Sequence, residues 1–277
     1  MRLPSQRAQR LAVRAAAYAH LHRGVLPNFI IVGAQKAGTT SLYSYLREHP
    51  NVLPCAYKEV WYFDLNFNRG TDWYRRQFLE PAPVQGSPDQ PYAVGEATPY
   101  YLFHPWAAQR IGKTVPAAKI IVLLRNPIER AYSQYQHNVR KGRETLSFPE
   151  AIERERRLYP DEMARFRSDP NYEGEFHRHF AYTTRSCYAS QIEEYLRYFD
   201  RSQILVMKSE DLFSDPATSY RETLDFLGLR QIELRDAKAL NTGRYDRSSI
   251  PCYDELASYF EPHNRSLYDM LGVDFGW

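Results

Sequence analysis

The sequence predicts an α/β fold, a three-layer sandwich whose central parallel sheet carries helices on both faces. Three observations predict it. Continuous apolar runs at 29–32, 119–124 and 203–207 have the composition of strands buried on both faces. Each run is followed by a segment whose apolar residues recur at helical spacing. Strands that alternate with helices through most of a chain are joined by crossovers, and crossovers build parallel sheets.

The first run, Phe29, Ile30, Ile31 and Val32, leads into a Gly-bounded turn: Gly33, Ala34, Gln35, Lys36, Ala37, Gly38, Thr39, Thr40, Ser41. Residues 41–47 then have helical spacing, with Leu42, Tyr45 and Leu46 on one face. Strand, Gly-rich turn and helix N-terminus form a phosphate cradle, because backbone N–H groups point outward there and the helix dipole favours an anion. Lys36 adds a point charge, and Thr39, Thr40 and Ser41 add hydroxyl donors. The fold is thus P-loop-like, but the order differs from Gly-x-x-x-x-Gly-Lys-Ser/Thr. Lys36 precedes Gly38, and Thr39 follows that glycine.

Further along, Lys58 and Glu59 stand beside the aromatics Trp61, Tyr62 and Phe63. A carboxylate held near apolar rings suits general-base work; a surface ion pair flanking a core segment is the other reading. Residues 71–78 read as a helix and 81–91 as a Pro, Gly and Ser-rich loop. Residues 93–101 read as a short strand ending in a turn. Glu96 and Thr98 there either approach the ligand crevice at the strand's carboxyl end or hold the turn.

The run 119–124 ends in Arg125, Asn126 and Pro127, and Pro127 suits a first helical turn. Arg125 is therefore at a strand end beside a helix N-terminus, where its guanidinium can grip a phosphate with two bonds. Ser133, about two turns on, offers a hydroxyl. Residues 140–185 are rich in charge. They read as an insertion over the site or as a solvated face, with a solvated helix at 150–156 and a loop at 169–174.

An amphipathic helix follows at 188–199, then the third buried strand. Asp215 and Pro216 cap a helix that ends at Gly228. Gly243 and Arg244 lie in a polar turn, with Arg244 a candidate anion ligand. A closing helix carries an aromatic tail. The two anion-binding corners, after residues 32 and 124, call for a ligand with two separated phosphate-like groups.

The 277 residues suffice for one large domain at 28–277, preceded by a basic arm at 1–27. Five arginines and no acid occupy that arm, which reads as a surface helix, a transit peptide, or a docking helix for an acidic partner or membrane surface. A net charge of +3 is too small to argue nucleic-acid binding, and none is expected. Cys55, Cys187 and Cys252 have neither disulfide nor metal-ligand spacing, which fits reduced thiols in a cytoplasmic protein. No apolar run approaches the roughly 20 residues of a membrane span, although peripheral membrane contact stays open. The oligomeric state is not legible.

Taken together, these stretches resemble the PAPS-dependent sulfotransferases, in particular the heparan-sulfate-type carbohydrate branch and its soluble bacterial relatives. Residues 32–41 resemble the family's loop for the 5′-phosphosulfate of PAPS (3′-phosphoadenosine 5′-phosphosulfate), residues 124–135 its 3′-phosphate element, and residues 262–277 the ending of the carbohydrate branch. The resemblance runs from about Asn28 to the C-terminus. It implies that Lys36 contacts the bridging oxygen and the 5′-phosphate, and that Gln35, Ala37, Gly38, Thr39, Thr40 and Ser41 complete that loop. It implies that Arg125 and Ser133 grip the 3′-phosphate, that Gly243 and Arg244 close on it, and that Tyr188 lies near the adenosine. It makes Glu59 the base. Lys58, Trp61, Tyr62, Glu96, Thr98 and His104 are the candidates for the acceptor side, and His104 or Lys58 would take the base role if Glu59 did not.

The chain departs from the pattern at Ala97, often Lys, and at Trp61, often His. It also lacks the paired Cys before Gly243 and the membrane anchor of Golgi members. The reaction so implied is in-line transfer of a sulfuryl group to a sugar, lipid-linked or other small-molecule hydroxyl, with release of PAP and no required metal, since no acidic strand end pairs with a Lys-Ser/Thr loop. The alternatives are a P-loop small-molecule kinase, against which the Lys36–Gly38 order speaks, and a non-catalytic nucleotide-binding module.

Overall fold

The computed structural model describes residues 23–53, 55–78, 91–237 and 250–277. Five strands, β1 (Phe29–Gly33), β2 (Val52–Leu53), β3 (Ala93–Ala97), β4 (Lys119–Leu124) and β5 (Ile204–Lys208), form one sheet in the order β2-β3-β1-β4-β5. Every pairing is parallel. In chain order the helices are α1 (Thr39–Leu46), α2 (Thr71–Arg75), α3 (Ala107–Thr114), α4 (Pro127–Arg140), α5 (Phe148–Ser168), α6 (Glu175–Phe180), α7 (Tyr188–Leu196), α8 (Ser209–Ser214), α9 (Pro216–Leu227) and α10 (Tyr253–Leu271).

Successive strand residues point to opposite faces. Phe29, Ile30, Ile31 and Val32 are all fully buried, so helices cover both faces of β1. The same holds for residues 120–124 of β4. This is why both read as unbroken apolar runs. Gly95 on β3 lets the two strands approach: a Cβ there would lie 2.3 Å from the Phe29 carbonyl oxygen.

Helix ends follow their chemistry. Asn126 accepts from the Ile128 and Glu129 amides and places Pro127 in the first turn of α4. Asp215 accepts from the Thr218 amide at the start of α9, and Gly228 ends that helix in the left-handed region. Ser147 and Glu150 form a capping box at the start of α5.

Two expectations need correction, and one strand was not expected. The helix at 71–78 stops at Arg75, because Phe78 instead pairs with Cys55 in an antiparallel bridge. The edge strand β2 is absent from the sequence reading. The solvated helix at 150–156 is the 21-residue α5, with Pro160 inside it and Glu155 fully buried. Glu155 accepts from the amides of Tyr182, Thr183 and Thr184 at 2.8–2.9 Å, so this part of the charged segment is packed rather than solvated. The arm at 1–22, the loop at 79–90 and the turn with Gly243 and Arg244 lie outside the described residues. No helix among the described residues is long and apolar enough to cross a membrane. Cys55, Cys187 and Cys252 are free thiols.

Candidate functional site

In an open parallel sheet the ligand crevice lies beyond the carboxyl ends of the strands, where the strand order reverses. Here that point is the end of β1, between β3 and β4. The turn after β1 reverses through two left-handed residues, Lys36 (φ 74°) and Gly38 (φ 93°). Gly38 is the N-cap of α1; its positive φ favours glycine, and a Cβ on it would press on the Leu212 and Phe213 side chains at 3.0 and 3.1 Å. The first amides of α1 lack intrahelical partners and are available to an anion.

Arg125 arrives from the end of β4. Its Nη1 donates to the Lys36 carbonyl at 3.4 Å, and its Nη2 pairs with Glu129 at 2.9 Å. Tyr188, fully buried, donates its hydroxyl to the Arg125 carbonyl at 2.8 Å. Tyr188 thus supports Arg125 from below rather than lining the crevice.

These strand ends open on one cavity of about 980 Å³. Ten of the sequence-predicted residues line it: Gln35, Lys36, Gly38, Thr39, Thr40, Lys58, Glu59, Trp61, Arg125 and Ser133. Sequence reasoning missed Tyr100, Gln134, His137, Asn138, Arg140, Arg143, Arg178 and His179 on its walls. Part of this set was recoverable. Ser133, His137 and Arg140 lie at i, i+4 and i+7, one face of α4, so a site at Ser133 implied the other two.

The lining is strongly cationic. It carries Lys36, Lys58, Arg125, Arg140, Arg143 and Arg178 against Glu59 as its one carboxylate among the described residues. Burial, and then the nearby Arg140, Arg125 and Arg130, hold Lys36 below the usual lysine range. Burial and surrounding cations likewise push His137 and His179 down to about 4. An anion in this cavity relieves the repulsion that all three feel.

The Glu59 wall is fastened from beneath. Lys58 Nζ donates to Glu59 Oε1 at 2.9 Å, with both side chains partly exposed. The next amide, that of Val60, donates to Glu96 Oε2 at 3.2 Å and to Thr98 Oγ1 at 3.1 Å. Glu96 also accepts the hydroxyls of Thr98 (2.6 Å), Tyr74 (2.7 Å) and Tyr101 (3.2 Å). Glu96 and Thr98 are therefore buried anchors of the 58–60 segment and do not line the cavity. Nor do four other predicted residues. Tyr62 stacks on Tyr74 in the core with centroids 4.3 Å apart. His104 is buried against Tyr100 and Phe166, accepts the Trp106 amide, and is pushed down to about 3 by burial. Ala37, within the loop after β1, and Ser41, in the first turn of α1, are fully buried.

Burial pushes the Glu96 carboxyl up to about 7, against the lowering effect of its hydrogen bonds. A carboxyl raised in the folded state stabilises most below its unfolded value of 4.5, and that contribution is lost as pH rises toward about 7. Replacing Glu96 with Ala leaves the hydroxyls of Thr98, Tyr74 and Tyr101 without their acceptor and should cost on the order of 3–5 kcal/mol in urea unfolding. Glu96→Gln should flatten the decline in stability between about pH 5 and pH 8. An unchanged midpoint in Glu96→Ala would show that the anchor carries no weight.

Residues 26–241 match the family model described as the sulfotransferase domain. The chain is 34% identical to a solved sulfotransferase from Alicyclobacillus acidocaldarius, over 91% of this chain and 98% of that one, with a TM-score of 0.69. It is 30% identical to heparan sulfate glucosamine 3-O-sulfotransferase 6 of Mus musculus, over 91% of this chain and 73% of that protein. It is 26% identical to the membrane-associated sulfotransferase kil1 of Dictyostelium discoideum, over 91% of this chain and 66% of that protein. The chain thus spans about two thirds to three quarters of the length of these two relatives.

Proposed function

The chain belongs to the sulfotransferase family, and we propose that it moves a sulfuryl group from PAPS to an acceptor hydroxyl and releases PAP. Membership removes the kinase reading. The observation that carries the proposal is the convergence of Lys36, Arg125 and Glu59, from three separate segments, on one cavity. The donor set fits PAPS: hydroxyls and amides of the α1 start beside Lys36, and Arg125 with Ser133 at a second corner, suit two separated anionic groups.

When bound, PAPS supplies a sulfuryl group on a phosphate leaving group. The bond from sulfur to the acceptor oxygen forms as the bond from sulfur to the phosphate oxygen breaks. Glu59 takes the acceptor proton, and Lys58 keeps it oriented. Lys36, with the first amides of α1, faces the negative charge that grows on the leaving phosphate. Arg125 is held by Glu129 and so is preorganised to bind rather than to react.

The relatives named for heparan sulfate suggest a glycan acceptor. The wall of Arg140, Arg143 and Arg178 supports an acceptor that is itself anionic. The three free thiols support a reducing, cytoplasmic setting.

Calorimetry with PAP tests the donor assignment: the chain should bind PAP without added metal. Arg125→Ala should weaken PAP by about 10–100-fold, the worth of one charge-assisted phosphate contact. Binding of PAP with equal affinity by wild type and Arg125→Ala would remove Arg125 from the donor site.

A further inference from the structure

We propose that Arg185 is a positioning residue that turns the Gln35 amide toward the cavity as a hydrogen-bond donor and ties the loop after β1 to the wall bearing Arg178 and His179. The proposal rests on the reading of the cavity as a PAPS site.

Arg185 lies in the short 3₁₀ turn Thr184–Ser186 and is 1% exposed. It makes no salt bridge among the described residues. A buried, unpaired guanidinium is costly unless its donors are used. Nη1 donates to Gln35 Oε1. Nη2 donates to the carbonyls of His177 at 2.6 Å and Arg178 at 2.8 Å. The guanidinium also faces the rings of Phe103 and Tyr100, at 4.8 and 5.3 Å from their centroids.

A guanidinium has donors only, so the Gln35 atom that meets it is the amide oxygen. The NH₂ end of Gln35 is then the end available to the cavity that this side chain lines. Without Arg185 the amide could turn its oxygen toward an incoming anion, which would repel it.

The other end of the clamp concerns α6. The last carbonyls of a helix lack intrahelical partners. Arg185 takes those of His177 and Arg178, while Gln134 and Asn138 of α4 donate to that of His179 at 2.9 and 2.7 Å. The backbone that carries the Arg178 and His179 side chains is thus pinned to both the donor loop and α4. Lysine cannot replace this geometry, because a single ammonium does not reproduce a planar fork spanning three acceptors.

The test is a double-mutant cycle read as PAP affinity by calorimetry. Gln35→Ala and Arg185→Lys should each weaken PAP by about tenfold, and the double variant by no more than about tenfold, because both remove one interaction. Losses that multiply to about 100-fold, or an Arg185→Lys protein that binds PAP like wild type, would overturn the proposal. Gln35→Glu guards against a misfolded Arg185 variant. It keeps an acceptor for Arg185 but replaces the amide NH₂ with a carboxylate oxygen, so the protein should still fold while PAP affinity falls at least about tenfold. A folded Gln35→Glu protein that binds PAP like wild type would also overturn it. Wild-type protein that fails to bind PAP would instead overturn the donor assignment, and with it this proposal.

Discussion

Replacing Lys36 with Ala should lower the sulfuryl-transfer rate by at least about 10²–10³, the usual cost of removing one preorganised donor from a developing oxyanion. The fold should survive the change. Lys36 occupies a left-handed backbone position, φ 74°, and alanine meets the same backbone constraint there. The contact from Arg125 is to the Lys36 carbonyl, which the substitution keeps. The side chain itself is held below its usual pKa by burial and by Arg140, Arg125 and Arg130. A cation that its surroundings penalise adds no stability, so Tm should hold or rise as activity collapses. The sign on pH follows. Donor affinity should fall as alkaline pH neutralises Lys36, and it should do so at a lower pH than for an ordinary lysine. Initial rates with labelled PAPS, alongside a melting curve, check both halves. Loss of activity together with loss of the melting transition would instead make Lys36 a structural residue.

Glu59→Gln should cost about 10²–10⁴ in transfer rate, the range for removing a general base, and leave PAP affinity within about twofold of wild type. Glutamine keeps the shape and can still accept from Lys58 Nζ, which meets Glu59 Oε1 at 2.9 Å. What it loses is the capacity to take a proton. The split between rate and donor affinity separates this variant from Lys36→Ala and Arg125→Ala, both of which remove charge from the donor side. Full transfer by Glu59→Gln would end the base assignment. His104 could not then take the role, because it is buried off the cavity wall; His137 and His179 line it and are neutral at pH 7.

The cavity wall that bears Lys36 and Arg125 is legible in the sequence because it uses short-range grammar. β1 and β4 are buried on both faces and so are unbroken apolar runs. The residues that follow them must lie at the crevice, which places Lys36 and Arg125 there. The wall that bears Glu59, Arg178 and His179 is not legible in the same way. Glu96 and Thr98 follow the same logic as Arg125, yet their side chains turn inward to hold the Val60 amide. Position at a strand end does not fix which way a side chain points. Arg178 and His179 come from a short helix whose location depends on contacts with Arg185, Gln134 and Asn138. Nothing local in the sequence encodes those contacts. Glu155 shows the same limit, since its amide partners lie in the distant 182–184 segment and its own neighbours are charged. The edge strand β2, at two residues, is too short to carry a periodicity.

Transfer of label tests the proposed reaction most directly. Purified protein is incubated with sulfur-labelled PAPS and a panel of anionic and neutral glycans, with chelator present, and the products are separated and weighed by mass spectrometry. The expected result is label in an acceptor hydroxyl ester, one PAP released per ester formed, and a preference for anionic acceptors over neutral ones. Binding of ATP with Mg²⁺ but not PAP, with no label transferred to any acceptor, would contradict it.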